Sequence, residues 1–162
     1  ILEIGSLTIG SYTYKLYDYL RPDLDGKPRP IHTWHGERVL DFSRRTSAIH
    51  GTIVHEPRLV RKGDDWAEYI VGECAELSFS LRRLEFEKSI EDKTNGKFVV
   101  LTLVDGDKIR IRSKANPEYY FDAEFMDMTV VPAAMGEFVV ENLGLEPICV
   151  HKTTLKEGFE NE

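Results

Sequence analysis

Alternation of apolar and polar positions dominates the second half of the chain, and a period of two predicts β-strands. KFVVLTLV (97–104) is rich in β-branched residues and runs into Asp105-Gly106, a hairpin turn signal. KIRIR (108–112) alternates strictly, with Ile109 and Ile111 on one face and basic residues on the other. Asn116-Pro117 then breaks the pattern. MTVVP (128–132) reads as a short buried strand stopped by Pro132, EFVVEN (137–142) as a strand closed by Asn142-Leu143-Gly144, and PICVHKTTL (147–155) as one more. LSFSLRRLEFEKSI (77–90) alternates too, with a phase slip at Arg82-Arg83 that reads as a bulge. Short strands separated by turn signals at intervals of about ten residues predict a sandwich or a barrel.

The first half is less regular. ILEIG (1–5) and SYTYKLYDY (11–19) read as strands, the proline-rich stretch 22–30 as a loop, and WHGERVLDF (34–42) as a short helix. Residues 43–66 are polar and broken by Gly51, Pro57 and Gly63, which predicts a long connector or extended arm. The expected organisation is an extended N-terminal segment over 1–70 and a β-barrel over 71–162, with the junction near residue 70. The chain opens on Ile inside an apolar run, which suggests a piece of a longer protein.

Composition narrows the classes. Apolar residues at 41% can build a core, so wholesale disorder is excluded, and a net charge of −7 argues against a general binder of nucleic-acid backbone. A local basic pocket for a small anion stays compatible with that charge. No apolar run approaches the ~20 residues of a membrane span. The two cysteines, Cys74 and Cys149, have neither metal spacing nor the density of a disulfide scaffold, and read as buried or half-buried thiols of a cytoplasmic protein.

Catalytic signatures are sparse. The five histidines, His32, His35, His50, His55 and His151, include no His-x-His pair and no i, i+4 pair of a helical zinc site. There is no Gly-x-Ser-x-Gly elbow and no glycine-rich phosphate loop. What remains is YKLYDYLRPDLDGKPRPIH (14–32), where Lys15, Arg21, Lys27 and Arg29 stand among aspartates, tyrosines and prolines. On a strand, Thr13, Lys15, Tyr17 and Tyr19 share a face, so a lysine flanked by hydroxyls would meet a phosphate or an enediolate oxygen. The prolines would stiffen a loop that aims Arg29 and His32. The same residues also read as a solvent-facing strand with a charged turn.

TYKLYDYLRPDLDGKPRPIH (13–32) resembles a segment of class I mannose-6-phosphate isomerases: threonine, aromatic, Arg/Lys, aliphatic, Tyr-Asp-aromatic, then Arg and a Gly-x-x-Arg turn. ILEIG resembles the Gly-x-Glu-Ile strand ahead of it. VVPAAMGEF (130–138), with Asn142, Gly144 and HKTTLK, is similar to the C-terminal cupin-like strands of the longer bacterial members. The resemblance implies a mainly β fold, a cupin-like jelly-roll or β-sandwich with an extended N-terminal segment. It implies a zinc-dependent aldose–ketose isomerase of carbohydrate metabolism, interconverting mannose 6-phosphate and fructose 6-phosphate. Lys15 falls where many members carry an active-site arginine, Glu3 matches the glutamate of the Glu-Ile strand, and Arg29 matches the basic residue of the turn. Lys15 and Glu3 are thereby the catalytic candidates and Arg29 the substrate-binding one. The family's Gln-x-His, Glu and His zinc ligands come from positions ahead of those present here, and this chain contains no Gln. Where metal-binding cupins place a late His, it has Phe138 and Val139.

The leading expectation is the C-terminal portion of such an isomerase, inactive alone and holding no metal of its own. A missing N-terminal domain or a dimer partner, but no nucleic acid and no membrane, would complete it. The alternative is a stand-alone cupin-like module that binds a sugar or regulates a partner without catalysis. A structural or oligomerising β domain is the third.

Overall fold

The computed structural model describes residue 4 and residues 14–50, 54–75 and 77–158. ILEIG, apart from Ile4, and residues 11–13 of the expected second strand lie outside the described residues, and so does Glu3. The chain divides into two units, Ile1–Val54 and His55–Glu162.

In the first unit the described secondary structure is two short helices, α1 (Thr33–Val39) and α2 (Thr46–Ile49). The expected helix at 34–42 is thus present in shorter form. α1 ends where Leu40 turns to extended backbone while its N–H donates to the Gly36 carbonyl. Gly36, buried on this helix, leaves room for the Leu16 side chain: an added Cβ would stand 2.3 Å from Leu16 Cδ2.

The second unit carries ten strands among its described residues: β1 (Arg58–Lys62), β2 (Trp66–Gly72), β3 (Phe79–Phe86), β4 (Ser89–Lys93), β5 (Val99–Asp105), β6 (Lys108–Ser113), β7 (Tyr120–Glu124), β8 (Met128–Val131), β9 (Glu137–Asn142) and β10 (Ile148–Leu155). They form a six-stranded sheet in the order β1-β2-β3-β10-β5-β8 and a four-stranded sheet in the order β4-β9-β6-β7. Every pairing is antiparallel. The inward residues of both sheets, among them Leu84, Ile90, Leu103, Ile109, Phe138, Val140 and Val150, make one apolar core. This is a β-sandwich, one of the two architectures the strand pattern predicts, and of the mainly β jelly-roll type the resemblance implies.

Four expectations change. Asp105-Gly106 does not close a hairpin: β5 and β6 lie in different sheets, and the turn arches between them. Gly106 has φ +111° and sits so close to Ile148 that a Cβ would fall 2.4 Å from its Cγ2, so glycine is needed here for both conformation and space. MTVVP is a half-exposed edge strand, because β8 ends the six-stranded sheet and only Val131 is buried. The stretch read as a connector contains β1, and with β2 it extends the sheet ahead of the junction expected near residue 70. β1 escapes the pattern because an edge strand with four of five residues exposed shows no apolar alternation.

The fourth change concerns Arg82-Arg83. β3 pairs with β10 without a break from Phe86↔Ile148 to Phe79↔Leu155. There is no phase slip: Ser80, Leu84 and Phe86 are buried on one face, and Arg82 occupies that inner face between them. The irregularity belongs to β2, whose register shifts between Ile70 and Gly72.

Cys74 and Cys149 are free and half-buried, as expected. Burial, helped by the nearby Glu85 charge, pushes the Cys149 thiol up to about 11. Alkylation of Cys149 at pH 8 should therefore run about 100-fold slower in the native protein than in denaturant, as peptide mass spectrometry would measure. Equal rates would show that the thiol is not held protonated.

Candidate functional site

The segment 14–32 folds as a sequence of tight turns. The described part of the expected second strand, 14–18, is irregular, and Tyr19 and Leu20 end it with φ of 53° and 54°. Two successive left-handed residues reverse the chain, and the Arg21 N–H closes the turn on the Asp18 carbonyl at 2.9 Å. A hairpin follows, with Pro22 bridged to Pro28, Asp23 N–H bonded to Lys27 O, and Gly26 at φ +76° at its tip. The proline-rich loop is thus a hairpin built from residues that fix φ or tolerate positive values.

Lys15 is half-buried, and its backbone is tied to His32 twice. Its N–H donates to His32 Nδ1 at 3.2 Å, and its carbonyl accepts the His32 N–H at 2.6 Å. His32 is the residue ahead of α1, and the Tyr14 ring stacks on His35 of that helix at 5.6 Å. Lys15 is therefore held by the start of a helix instead of by a sheet. Tyr17 and Tyr19 pack edge to face at 4.6 Å, as side chains on one face of the segment would.

Arg29 makes a bidentate pair with Asp18, Nε to Oδ2 at 2.7 Å and Nη2 to Oδ1 at 2.8 Å. The pair clamps the base of the hairpin and takes two of the guanidinium's five N–H donors. The hydrogen bond from Arg29 holds the Asp18 carboxyl below its usual range, and the charges of Arg29, Arg21 and Lys15 act the same way. Three cations gather about Asp18, with the Asp23 carboxylate also acting on Arg29. The sequence candidates Lys15 and Arg29 thus flank one acidic residue.

A second charged group lies in the second unit, and the sequence reading missed it. Glu68 of β2, Arg82 of β3, Asp92 of β4 and Lys152 of β10 meet between the sheets, with Arg61 of β1 beside them. Lys152 Nζ lies 3.0 Å from Glu68 Oε1 and also bonds Asp92, so a single ammonium links the two sheets. Arg82 Nη1 bonds Glu68 Oε1 at 3.0 Å; Arg61 bonds Glu68 and stands 3.5 Å from Asp92. Glu68 is 1% exposed and Lys152 5%. Burial pushes the Glu68 carboxyl up, but the Lys152 charge and hydrogen bonds from Arg61, Arg82 and Lys152 outweigh it and lower it to about 2. The signal was present in the alternation: Arg82 and Lys152 occupy inward phases of β3 and β10, where the neighbouring inward residues are Leu84 and Val150.

This donor set does not fit a divalent cation. Three cations fill the space between the sheets, and both carboxylates are already paired to them. Among the described residues no group of three or more His, Cys, Asp or Glu is arranged to hold a metal ion. No helix among them is long and apolar enough to cross a membrane.

No family model matches the chain. Mannose-6-phosphate isomerase ManA of Bacillus subtilis (strain 168) is 27% identical over 141 residues, covering 87% of this chain and 41% of the relative. The crystal structure of the mannose 6-phosphate isomerase from Bacillus subtilis superposes with a TM-score of 0.61 at 15% identity, over 88% of this chain and 40% of that one. Hydroxypropylphosphonic acid epoxidase from S. wedmorenis gives a TM-score of 0.50 at 10% identity, over 65% of this chain and 60% of that one. The fold is cupin-like, and the resemblance to mannose-6-phosphate isomerases read from residues 13–32 and 130–138 holds along most of the chain. The chain spans about two fifths of the length of the curated relative it matches.

Proposed function

We propose that these residues form the C-terminal part of a sugar-phosphate aldose–ketose isomerase acting on mannose 6-phosphate and fructose 6-phosphate. The likeness to ManA over 141 residues carries this reading. Zinc, in the intact enzyme, would be a Lewis acid toward the sugar carbonyl. The described residues of this chain do not fit it, and on this reading its ligands come from elsewhere in a longer parent protein and the 162 residues alone are inactive.

The role of this chain's own residues is electrostatic. Isomerisation moves a proton between C1 and C2 and builds negative charge on an enediolate oxygen. Lys15, whose backbone is fixed to His32, would supply the ammonium that offsets the charge on that oxygen. Arg29 contributes its remaining donors to the sugar phosphate while Asp18 holds it in place. Glu3 is the acid/base candidate. In the full product of the reading frame, Lys15→Ala should lower kcat by about 100-fold. Lys15→Arg, which keeps the charge, should retain most of the activity. Unchanged turnover in Lys15→Ala would remove Lys15 from the site.

A further inference from the structure

The charged group between the sheets does not balance. Arg61, Arg82 and Lys152 face two carboxylates, Glu68 and Asp92, which leaves one positive charge in excess, with Glu68, Asp92 and Lys152 buried and Arg61 and Arg82 partly exposed. Arg82 is held by Glu68 through Nη1 at 3.0 Å, while its Nε is closed off from solvent and makes no hydrogen bond among the described residues.

Arg82 and Lys152 open on a cavity of about 810 Å³, within the size range of metabolite sites. Its walls carry Arg82 and Lys152, already paired with Glu68 and Asp92, together with Lys93, Lys97 and Lys156, against Glu73 and Glu157; Lys156 Nζ donates to Cys74 O at 2.6 Å and Lys97 Nζ to Lys156 O at 3.3 Å. Glu73 is already engaged, accepting the Ser80 hydroxyl at 2.9 Å. The rim is rigid on one side: Asn95 and Gly96 turn the chain with φ of 52° and 77°, and the Lys97 N–H closes this turn on Thr94 O at 3.1 Å. A chain with net charge −7 thus concentrates positive charge in one cleft, which focuses the field on a small anion.

We propose that this cleft at the polar end of the sandwich binds a small phosphate monoester, with Arg82 and Lys152 at its floor and Lys93 at its rim. The single excess charge of the buried group, added to that of Lys93 at the rim, matches a phosphate dianion, and the cavity has room for the organic part. This site lies wholly in the second unit and does not depend on the isomerase reading, which concerns Lys15 and Arg29.

Titration of the 162-residue chain with glycerol 1-phosphate, followed by amide NMR, tests it. Shifts are expected at residues 80–82, 93–97 and 152–156. Lys93→Glu, an exposed position that spares the buried group, should weaken binding about tenfold. Lys88→Glu, the same charge change on the β3–β4 turn, should leave it within about twofold. Equal weakening by both variants would show that only net charge matters and overturn the site. So would shifts confined to residues 14–32, which would place the anion at Lys15 instead. Glycerol alone should not bind, and citrate binding as tightly as glycerol 1-phosphate would overturn the phosphate assignment.

Discussion

Glu68→Gln should lower the unfolding free energy by about 3–5 kcal/mol at pH 7, among the largest losses of any single substitution in this chain. Glu68 is 1% exposed and accepts from Arg61, Arg82 and Lys152. Its loss leaves three cations facing one carboxylate. Lys152→Met should cost less, because the remaining group, Arg61 and Arg82 against Glu68 and Asp92, is balanced. That order, with the carboxylate mattering more than the ammonium, follows from the positive excess. Urea unfolding of the two variants measures it, and the reverse order would contradict the charge count. The dependence on pH has a definite sign. The Glu68 carboxyl is lowered from 4.5 to about 2, so its contribution is fully present above about pH 4.5 and is lost as pH falls through about 2. The shift corresponds to about 3 kcal/mol, so the deficit of Glu68→Gln should shrink across that window.

Phe138→Ala should be comparably damaging for a different reason. Phe138, on β9, is 0% exposed and the largest of the fully buried side chains among the described residues. It stands opposite Asp92 on β4 and Ser113 on β6, where the apolar core meets the ionic group. Removing the ring loses its transfer free energy and leaves a cavity the two sheets cannot close, about 3–5 kcal/mol in all. Val130→Ala on the exposed edge strand β8 should change stability by less than about 0.5 kcal/mol. Unlike the loss in Glu68→Gln, that in Phe138→Ala should persist down to pH 2. A Phe138→Ala loss below 1 kcal/mol would show that the core ends elsewhere.

The strands legible in the sequence are those with one buried face, because only there does the side-chain period appear as apolar alternation. KIRIR shows it fully: Ile109 and Ile111 go to the core, while Arg110 pairs with Asp122 and Arg112 with Glu141 on the outer face. β1 was not legible, since an edge strand carries its pairing in backbone bonds and not in residue type. The most instructive failure is Arg82. A charged residue at an inward phase reads as a slip if every inward position is assumed to be apolar. It reads correctly once Glu68, its partner across the β2–β3 pairing, is known to point inward as well. In the first unit, the motif around Lys15 was visible as a motif. Its turn geometry was not, because Tyr19 and Leu20 are not residues that announce positive φ.

If these residues supply part of a sugar-phosphate isomerase site and not the whole of it, as proposed, one coupled assay will show it: formation of fructose 6-phosphate from mannose 6-phosphate in the presence of zinc. It would be run on the 162 residues and on the full product of the reading frame that contains them. The expected result is turnover by the full product and none by the 162 residues. Zinc-dependent turnover by these residues alone would show that they hold a complete site, and a metal-loaded full product that does not isomerise the sugar phosphate would remove the isomerase function.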